Sequence, residues 1–184
     1  MSNTTYRHIR LAYPHLWKPQ AYKNSAPMYS ASLMIPKDDA EMVKMTLDAI
    51  DNAKQKAVST GIVTADKMGS LISPVRDGDK EFASGDRPKE FQGHWFVNAR
   101  SAVQPSLIDK YGEKIKDPEV LYPGAEYHVS VAFYVPKEYN IRVACALNHV
   151  LKYADRERWD DRVTAEEAFK GLIETVDAKD VKWN

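Results

Sequence analysis

The chain has 184 residues, a length that fits one compact domain, so we expect residues 1–184 to fold as a single unit. Hydrophobic residues make up 43% and charged residues 28%, a composition typical of a folded globular protein and too apolar for a disordered one. The 26 basic and 26 acidic side chains cancel, which excludes a chain-wide basic excess of the kind that marks many proteins with polyanionic partners.

The amino-terminal part of the chain is nevertheless basic. Residues 1–37 carry five Lys and Arg and no Asp or Glu. Apolar alternation predicts a short strand from Tyr6 to Ala12. A loop bounded by Pro14 and Pro19 then follows, and a second strand runs over about 28–35. Basic and aromatic residues of this region are candidate ligand contacts: Arg10, Tyr13, Trp17, Lys18 and Lys37.

A helix is predicted after Pro36. Asp38 or Asp39 can cap its first turn, and the helix should reach about Ser59. Its apolar positions recur at helical spacing and predict one buried stripe. The members of this stripe are Val43, Leu47, Ile50 and Ala57.

Residues 62–92 are interrupted by prolines and glycines, and we predict an inserted long loop that forms a flap beside a binding surface. Its sequence Arg76-Asp77-Gly78-Asp79 is turn-like. Asp77 and Asp79 offer two oxygen ligands for Mg²⁺, but a turn without metal is the commoner outcome for such a sequence.

A third strand is predicted over 93–103, followed by a polar connection over 104–124. We expect its two faces to differ in environment. The predicted inward set is Trp95, Val97, Ala99 and Val103. The predicted outward set is His94, Phe96, Asn98 and Arg100.

Two further strands, over 125–135 and 141–148, are predicted to form a hairpin. The first has an apolar face running from Tyr127 to Val135, and the second places Cys145 inward, where core packing is favoured over a nucleophilic role. A carboxy-terminal helix is predicted to begin at a capping box at Thr164, with a loose tail over about 177–184. The apolar stripe of that helix comprises Phe169, Leu172, Ile173 and Val176.

Five strands and two helices in this order exclude a doubly wound α/β fold and favour a mainly β protein built on a small curled antiparallel sheet.

We find no phosphate-binding loop, nucleophile elbow or metal-ligand spacing, so we expect no enzymatic activity, no cofactor and no metal. The single cysteine, the absence of a secretory leader and the absence of a long apolar run predict a cytoplasmic protein without a membrane span.

The predicted outward face combines aromatic rings, small polar groups and cations. Such a surface favours an unpaired nucleic-acid strand, because bases stack on aromatic rings while Lys and Arg neutralise phosphates. Phe96 and Tyr134 are the rings expected on this face. The alternative is that the long loop or the carboxy-terminal helix covers them.

Several segments together resemble a known family. Their order and spacing resemble those of phage-encoded single-stranded-DNA-binding proteins with an OB fold. The segments are Arg10-Leu11-Ala12-Tyr13-Pro14-His15-Leu16-Trp17, the strand 29–37, Arg76-Asp77-Gly78-Asp79, the segment 93–99 and Ala146-Leu147-Asn148-His149-Val150.

That resemblance implies an OB-type five-stranded barrel, with a helix after the second strand and a carboxy-terminal helix, that shields single strands during phage DNA replication, recombination or repair. It implies base contacts at Tyr13, Trp17, Phe96 and Asn98 and phosphate contacts at Lys37 and Arg100. Its partners would be single-stranded DNA and phage replication or recombination proteins. The oligomeric state stays open, with a dimer as one option. Two alternatives are a structural or interaction protein of the virion or replisome and a metal-dependent nuclease working through Asp77 and Asp79.

Overall fold

A computed structural model describes residues 2–163 and 165–173 of the chain. Within this part the strands are β1 (Asn3–Gln20), β2 (Met28–Pro36), β3 (Val75–Asp77), β4 (His94–Ser101), β5 (Ser106–Asp109), β6 (Glu126–Tyr134) and β7 (Ala144–Ala154). The α-helices are α1 (Ala40–Ser59), α2 (Gly78–Ala83) and α3 (Ala165–Ala168).

Five of these strands close a barrel. Antiparallel pairing joins β4 to β2, β2 to β1, β1 to β6 and β6 to β7, and a parallel contact between Arg100 of β4 and Ala146 of β7 completes the ring. The short strands β3 and β5 extend the sheet from β4 and β7. The prediction of a mainly β, five-stranded barrel with a helix after the second strand is confirmed, although the closing pair makes the barrel mixed and not wholly antiparallel.

Strand β1 is far longer than predicted, and it continues through Pro14 and Pro19, so the expected proline-bounded loop is wrong. Between the pairs Ala12–Ser32 and His15–Ser30, β1 contains one more residue than β2, which is a bulge. A bulge leaves backbone groups outside the ladder, so a proline without an N–H is tolerated there. Tyr13 lies in this bulge with a φ of 47°.

The barrel interior follows the predicted alternation along β6 and β7, whereas Val103, which was predicted to point inward, is 75% exposed. Along β6, the inward residues Tyr127, Val129, Val131 and Phe133 are all at most 5% exposed. Val143, just before β7, and Cys145 and Leu147 within β7 are buried, and the predicted hairpin of β6 and β7 is present. The core between β6 and β7 is therefore formed by the alternating apolar residues that the sequence predicts to point inward.

Helix α1 packs against the barrel and begins where predicted, because the Asp39 side chain accepts a hydrogen bond from the backbone N–H of Met42. Its buried face differs from the predicted stripe: Thr46 is buried whereas Leu47 is 59% exposed. The reason is a polar contact, since Thr46 Oγ1 lies 2.8 Å from the Tyr6 hydroxyl inside the core. A hydrophobicity pattern alone does not identify Thr46 as buried, because Thr46 is polar and its burial depends on its hydrogen bond to the buried Tyr6 hydroxyl.

Residues 62–92 are not the long loop that was expected. They contain β3 and α2, and the Asp77 side chain caps α2 by accepting from the backbone N–H of Asp79. Gly78 allows this segment to approach the chain at Phe91 and His94, where an added Cβ would lie 2.1 Å and 2.7 Å from their carbonyl oxygens. The polar connection 104–124 likewise contains a strand, β5.

Within the described residues, the predicted carboxy-terminal helix forms a single turn, α3. Phe169, Leu172 and Ile173 are 56%, 76% and 57% exposed, so this part of the apolar stripe does not pack on the barrel. Thr164, Val176 and the tail 177–184 lie outside the described residues. None of the helices in the described ranges is both long and apolar enough to span a membrane.

Candidate nucleic-acid interface

The outer face of β1, β2 and β4 carries three rows of side chains that run across the strands. The register sets residues of the three strands side by side, and their alternation points them away from the barrel interior. The first row is Arg10, Met34 and Phe96; the second is Ala12, Ser32 and Asn98; the third is His15, Ser30 and Arg100.

The first row is covered. Phe91 packs edge-on against Phe96, and Trp159 lies against the same small cluster. Phe96 is consequently 0% exposed, so the expectation of a ring presented to solvent is wrong at this position. Its face of β4 was predicted correctly, but the segment preceding β4 crosses back over that face and buries the ring.

Arg10 is held in the same covered region. Its Nε and Nη2 donate to the carbonyl oxygens of Gly124 and Glu157 at 2.6 Å and 2.7 Å, and its guanidinium lies 4.0 Å from the centre of the Trp159 ring. Burial lowers the pKa of Arg10. These contacts help to hold the 155–160 segment on the barrel, and they engage the guanidinium of Arg10, which the sequence made a candidate ligand contact, within the protein itself.

Ser32 and Asn98 of the second row, together with the third row, form the floor of an open trough of about 830 Å³. The floor is low because Ser30 and Ser32 are small. The Asn98 Oδ1 accepts a hydrogen bond from the Ser32 hydroxyl at 2.6 Å, so the amide N–H donors of Asn98 are the groups left for a base edge. Arg100 is exposed and forms no ion pair with any residue in the described ranges.

One wall of the trough combines an aromatic ring with two arginines. Tyr13 is 43% exposed, and the Arg87 guanidinium lies 5.5 Å from its ring centre. Arg76 and Arg87 share the carboxylate of Glu81, at 2.5 Å and 3.1 Å from their Nε atoms. Glu81 thereby holds both guanidiniums in place. Because the two arginines carry two positive charges and Glu81 carries one negative charge, one positive charge stays unbalanced.

The trough thus unites three of the predicted contacts, Tyr13, Asn98 and Arg100, with residues that sequence reasoning missed. Arg76 was missed because it belongs to β3, where it pairs with Phe96 in a segment read as a loop. Arg87 was missed because only the fold of the 78–92 segment brings it over Tyr13. No periodicity in the sequence signals either position.

Lys37 lies in a different environment from the trough. Its Nζ donates to Asp77 Oδ1 and Asp79 Oδ2 at 2.6 Å each and lies 4.2 Å from the centre of the Trp95 ring. The hydrogen bonds that the Lys37 ammonium donates to the two carboxylates raise the pKa of Lys37 and lower the pKa of both Asp77 and Asp79. An ammonium therefore occupies the position between the two carboxylates where the metal alternative would need a cation.

The other predicted contacts do not line the trough. Trp17 and Lys18 are exposed farther along β1, where the Gln104 side chain donates to the Trp17 carbonyl at 3.3 Å. Tyr134 lines a separate cleft of about 930 Å³ beside α1. Cys145 is buried, and burial raises the pKa of its thiol, as expected for a core residue.

Comparison with known families decides what kind of barrel this is. The family model described as "Enterobacter phage Enc34, ssDNA-binding protein" matches residues 3–181. The chain belongs to this family. Membership confirms the resemblance read from the sequence, and the family consists of non-catalytic phage single-stranded-DNA-binding proteins. None of the curated protein sequences matches the chain.

Solved structures show the same relationship. The single-stranded-DNA-binding protein of bacteriophage Enc34, in a complex with single-stranded DNA, is 25% identical and superimposes with a TM-score of 0.70 over 86% of this chain and 89% of its own. A carboxy-terminal truncation of that protein is 26% identical, with a TM-score of 0.67 over 85% and 88% of the two chains. The bacteriophage T7 single-stranded-DNA-binding protein is 16% identical, with a TM-score of 0.54 over 89% and 98%, and shares the fold.

Proposed function

We propose that this chain binds single-stranded DNA with little sequence preference in the trough on the outer face of β1, β2 and β4. The observation that carries the proposal is the juxtaposition of the exposed Tyr13 ring, the low serine floor and Arg100, which has no ion-pair partner within the described residues. In OB-type barrels the second and third barrel strands form the face that binds oligonucleotides, and here these are β2 and β4.

The chemistry of the trough suits an unpaired strand better than a duplex. A base can stack on Tyr13, a contact worth roughly 1 to 3 kcal/mol that is open to every base. Asn98 is the main side chain on the floor that can donate a hydrogen bond to the edge of a base. Because sequence is read through such contacts, one of them should discriminate only weakly between bases. Arg76, Arg87 and Arg100 face the phosphates. Together with the carboxylates of Glu81 and Asp86, these three arginines give the region a net charge of +1.

The complex of the Enc34 relative with single-stranded DNA supports this ligand. We assign the chain the protection of single strands in phage DNA replication, recombination or repair, in the cytoplasm of the infected host. The phage proteins that carry out those processes would be its partners.

The test is fluorescence anisotropy with labelled oligo-dT at two salt concentrations, with duplex DNA and RNA of equal length as competitors. We expect oligo-dT to bind more tightly than duplex DNA, with an affinity that falls as salt rises, because bound phosphates release counterions. Failure to bind oligo-dT at low salt contradicts the proposal. An affinity that does not change with salt contradicts the phosphate contacts.

A further inference from the structure

The residues Tyr13, Pro14 and His15 form a ridge between two clefts. On one side lies the trough, and on the other lies a second cleft of about 290 Å³; Tyr13 and His15 line both. The bulge in β1 creates this ridge, because its extra residue and the left-handed backbone of Tyr13 turn the strand locally.

The second cleft has walls suited to a base. Its lining includes the partly exposed Pro14 and Pro123 and the exposed Pro118, with the mostly buried side chains of Leu121 and Tyr122 behind them. Prolines have no backbone N–H, so they can cover a base without adding a donor that a base would have to satisfy. The Tyr122 hydroxyl is already engaged, because it donates to Asp155 at 2.9 Å and accepts from the backbone N–H of Arg156 at 3.1 Å.

The rim of the second cleft carries two arginines with different surroundings. Arg158 is held by a two-pronged contact with Asp160 at 2.8 Å and 3.0 Å and lies 4.5 Å from the centre of the Tyr122 ring. The Arg162 side chain is 72% exposed, and Glu119, 3.8 Å away, is 70% exposed. An exposed ion pair at this distance contributes little, so a phosphate can replace Glu119 as the partner of Arg162.

We propose that the bound single strand crosses the Tyr13 ridge and continues into the second cleft, where a base packs on the proline walls and Arg162 contacts a phosphate. This extension rests on the proposed function and assigns the protein a longer footprint than the trough alone. Tyr13 stands between the two clefts, so its ring would stack on the base at the crossing point.

The test compares Arg162→Ala with Arg100→Ala across a series of oligo-dT lengths from about 5 to about 16 nucleotides, a range typical of OB-fold binding sites. Arg142→Ala is the matched control, because Arg142 is also exposed but lines neither cleft. We expect Arg100→Ala to weaken binding at every length. We expect Arg162→Ala to leave the shortest oligomer unaffected and to weaken the longest about three- to ten-fold, with a salt dependence lower by about one phosphate contact.

A second variant tests the same cleft with a gain of binding. Glu119→Gln removes the carboxylate that competes for Arg162, so it should tighten binding of long oligomers and leave short ones unchanged. The extension is overturned if Arg162→Ala weakens all lengths equally, if it weakens none, or if Arg142→Ala has the same effect. Wild-type protein that binds no oligomer overturns the proposed function itself, and the extension with it.

Discussion

The Phe91 ring meets the Phe96 ring edge-on, with centroids 4.9 Å apart and planes at 89°. Both side chains are 0% exposed, and they form a small apolar cluster on the outside of the barrel with Ala12 and Met34. This contact fastens the 78–92 segment to β4. It also covers one end of the strand face whose other end is the trough, so the same pair determines which part of that face is open to solvent.

Phe96→Ala should lower the free energy of unfolding by about 3 to 5 kcal/mol, because it removes a buried ring and leaves a cavity. Phe96→Leu, which retains much of the volume, should lose less. Urea unfolding followed by circular dichroism measures both. A Phe96→Ala protein that unfolds like the wild type but no longer binds oligo-dT would show that the ring is a base contact after all.

Tyr13→Gly should separate binding from stability. The tyrosine has a φ of 47°, which is strained for a bulky residue and unstrained for glycine. Relief of this strain offsets the lost packing against Phe91, so we expect stability within about 1 kcal/mol of the wild type. Affinity for oligo-dT should fall by roughly 1 to 3 kcal/mol, the contribution of one stacked base.

Tyr13→Phe is the control for that variant, because it retains the ring and should bind normally. Unaltered binding by Tyr13→Gly would contradict stacking at this position. A loss in both variants would instead assign the contact to the hydroxyl group.

Arg100→Ala should weaken binding and reduce the slope of log affinity against log salt by about 0.7, the value for one phosphate of a single strand. The reason is that Arg100 is exposed on the trough floor and has no charged partner in the described part of the chain. Anisotropy titrations at four salt concentrations give the slope. The contact is refuted if the slope is the same as in the wild type and in Arg142→Ala.

Lys37→Met should affect stability in a pH-dependent way. Lys37 lowers the pKa of Asp77 and Asp79, so the stabilisation is present above the pKa that these carboxyls have in the unfolded chain and is lost as pH falls through their folded values. We therefore expect wild type and variant to differ most in unfolding free energy near neutral pH and the difference to shrink as pH falls below about 4. Urea unfolding at several pH values measures this difference.

DNA binding by Lys37→Met at neutral pH provides a separate readout. Since the Lys37 ammonium is already held by two carboxylates, we expect affinity within about two-fold of the wild type, in contrast to Arg100→Ala. A loss as large as that of Arg100→Ala would restore Lys37 to the DNA-contacting residues.

The residues that alternate in a simple way were predictable from the sequence. Local patterns of period 2 and 3.6 and capping chemistry predict the inward side chains of β6 and β7, the helix start at Asp39 and the order of the five barrel strands and α1. They do not predict β3, α2 or β5. The family resemblance was also readable, because it depends on short segments in order along the chain. These features require no knowledge of which distant residues meet.

The site depended on contacts that no local pattern encodes. The sequence placed Phe96, Asn98 and Arg100 on one face of a strand, but only the folded chain shows that Phe91 buries the first of them and leaves the other two open. Two other contacts likewise arise where the 75–92 segment crosses the barrel. Arg87 lies over the Tyr13 ring, and Lys37 forms ion pairs with Asp77 and Asp79. The physical reason is that alternation sets the direction of a side chain relative to its own strand, whereas exposure depends on what another part of the chain places above it.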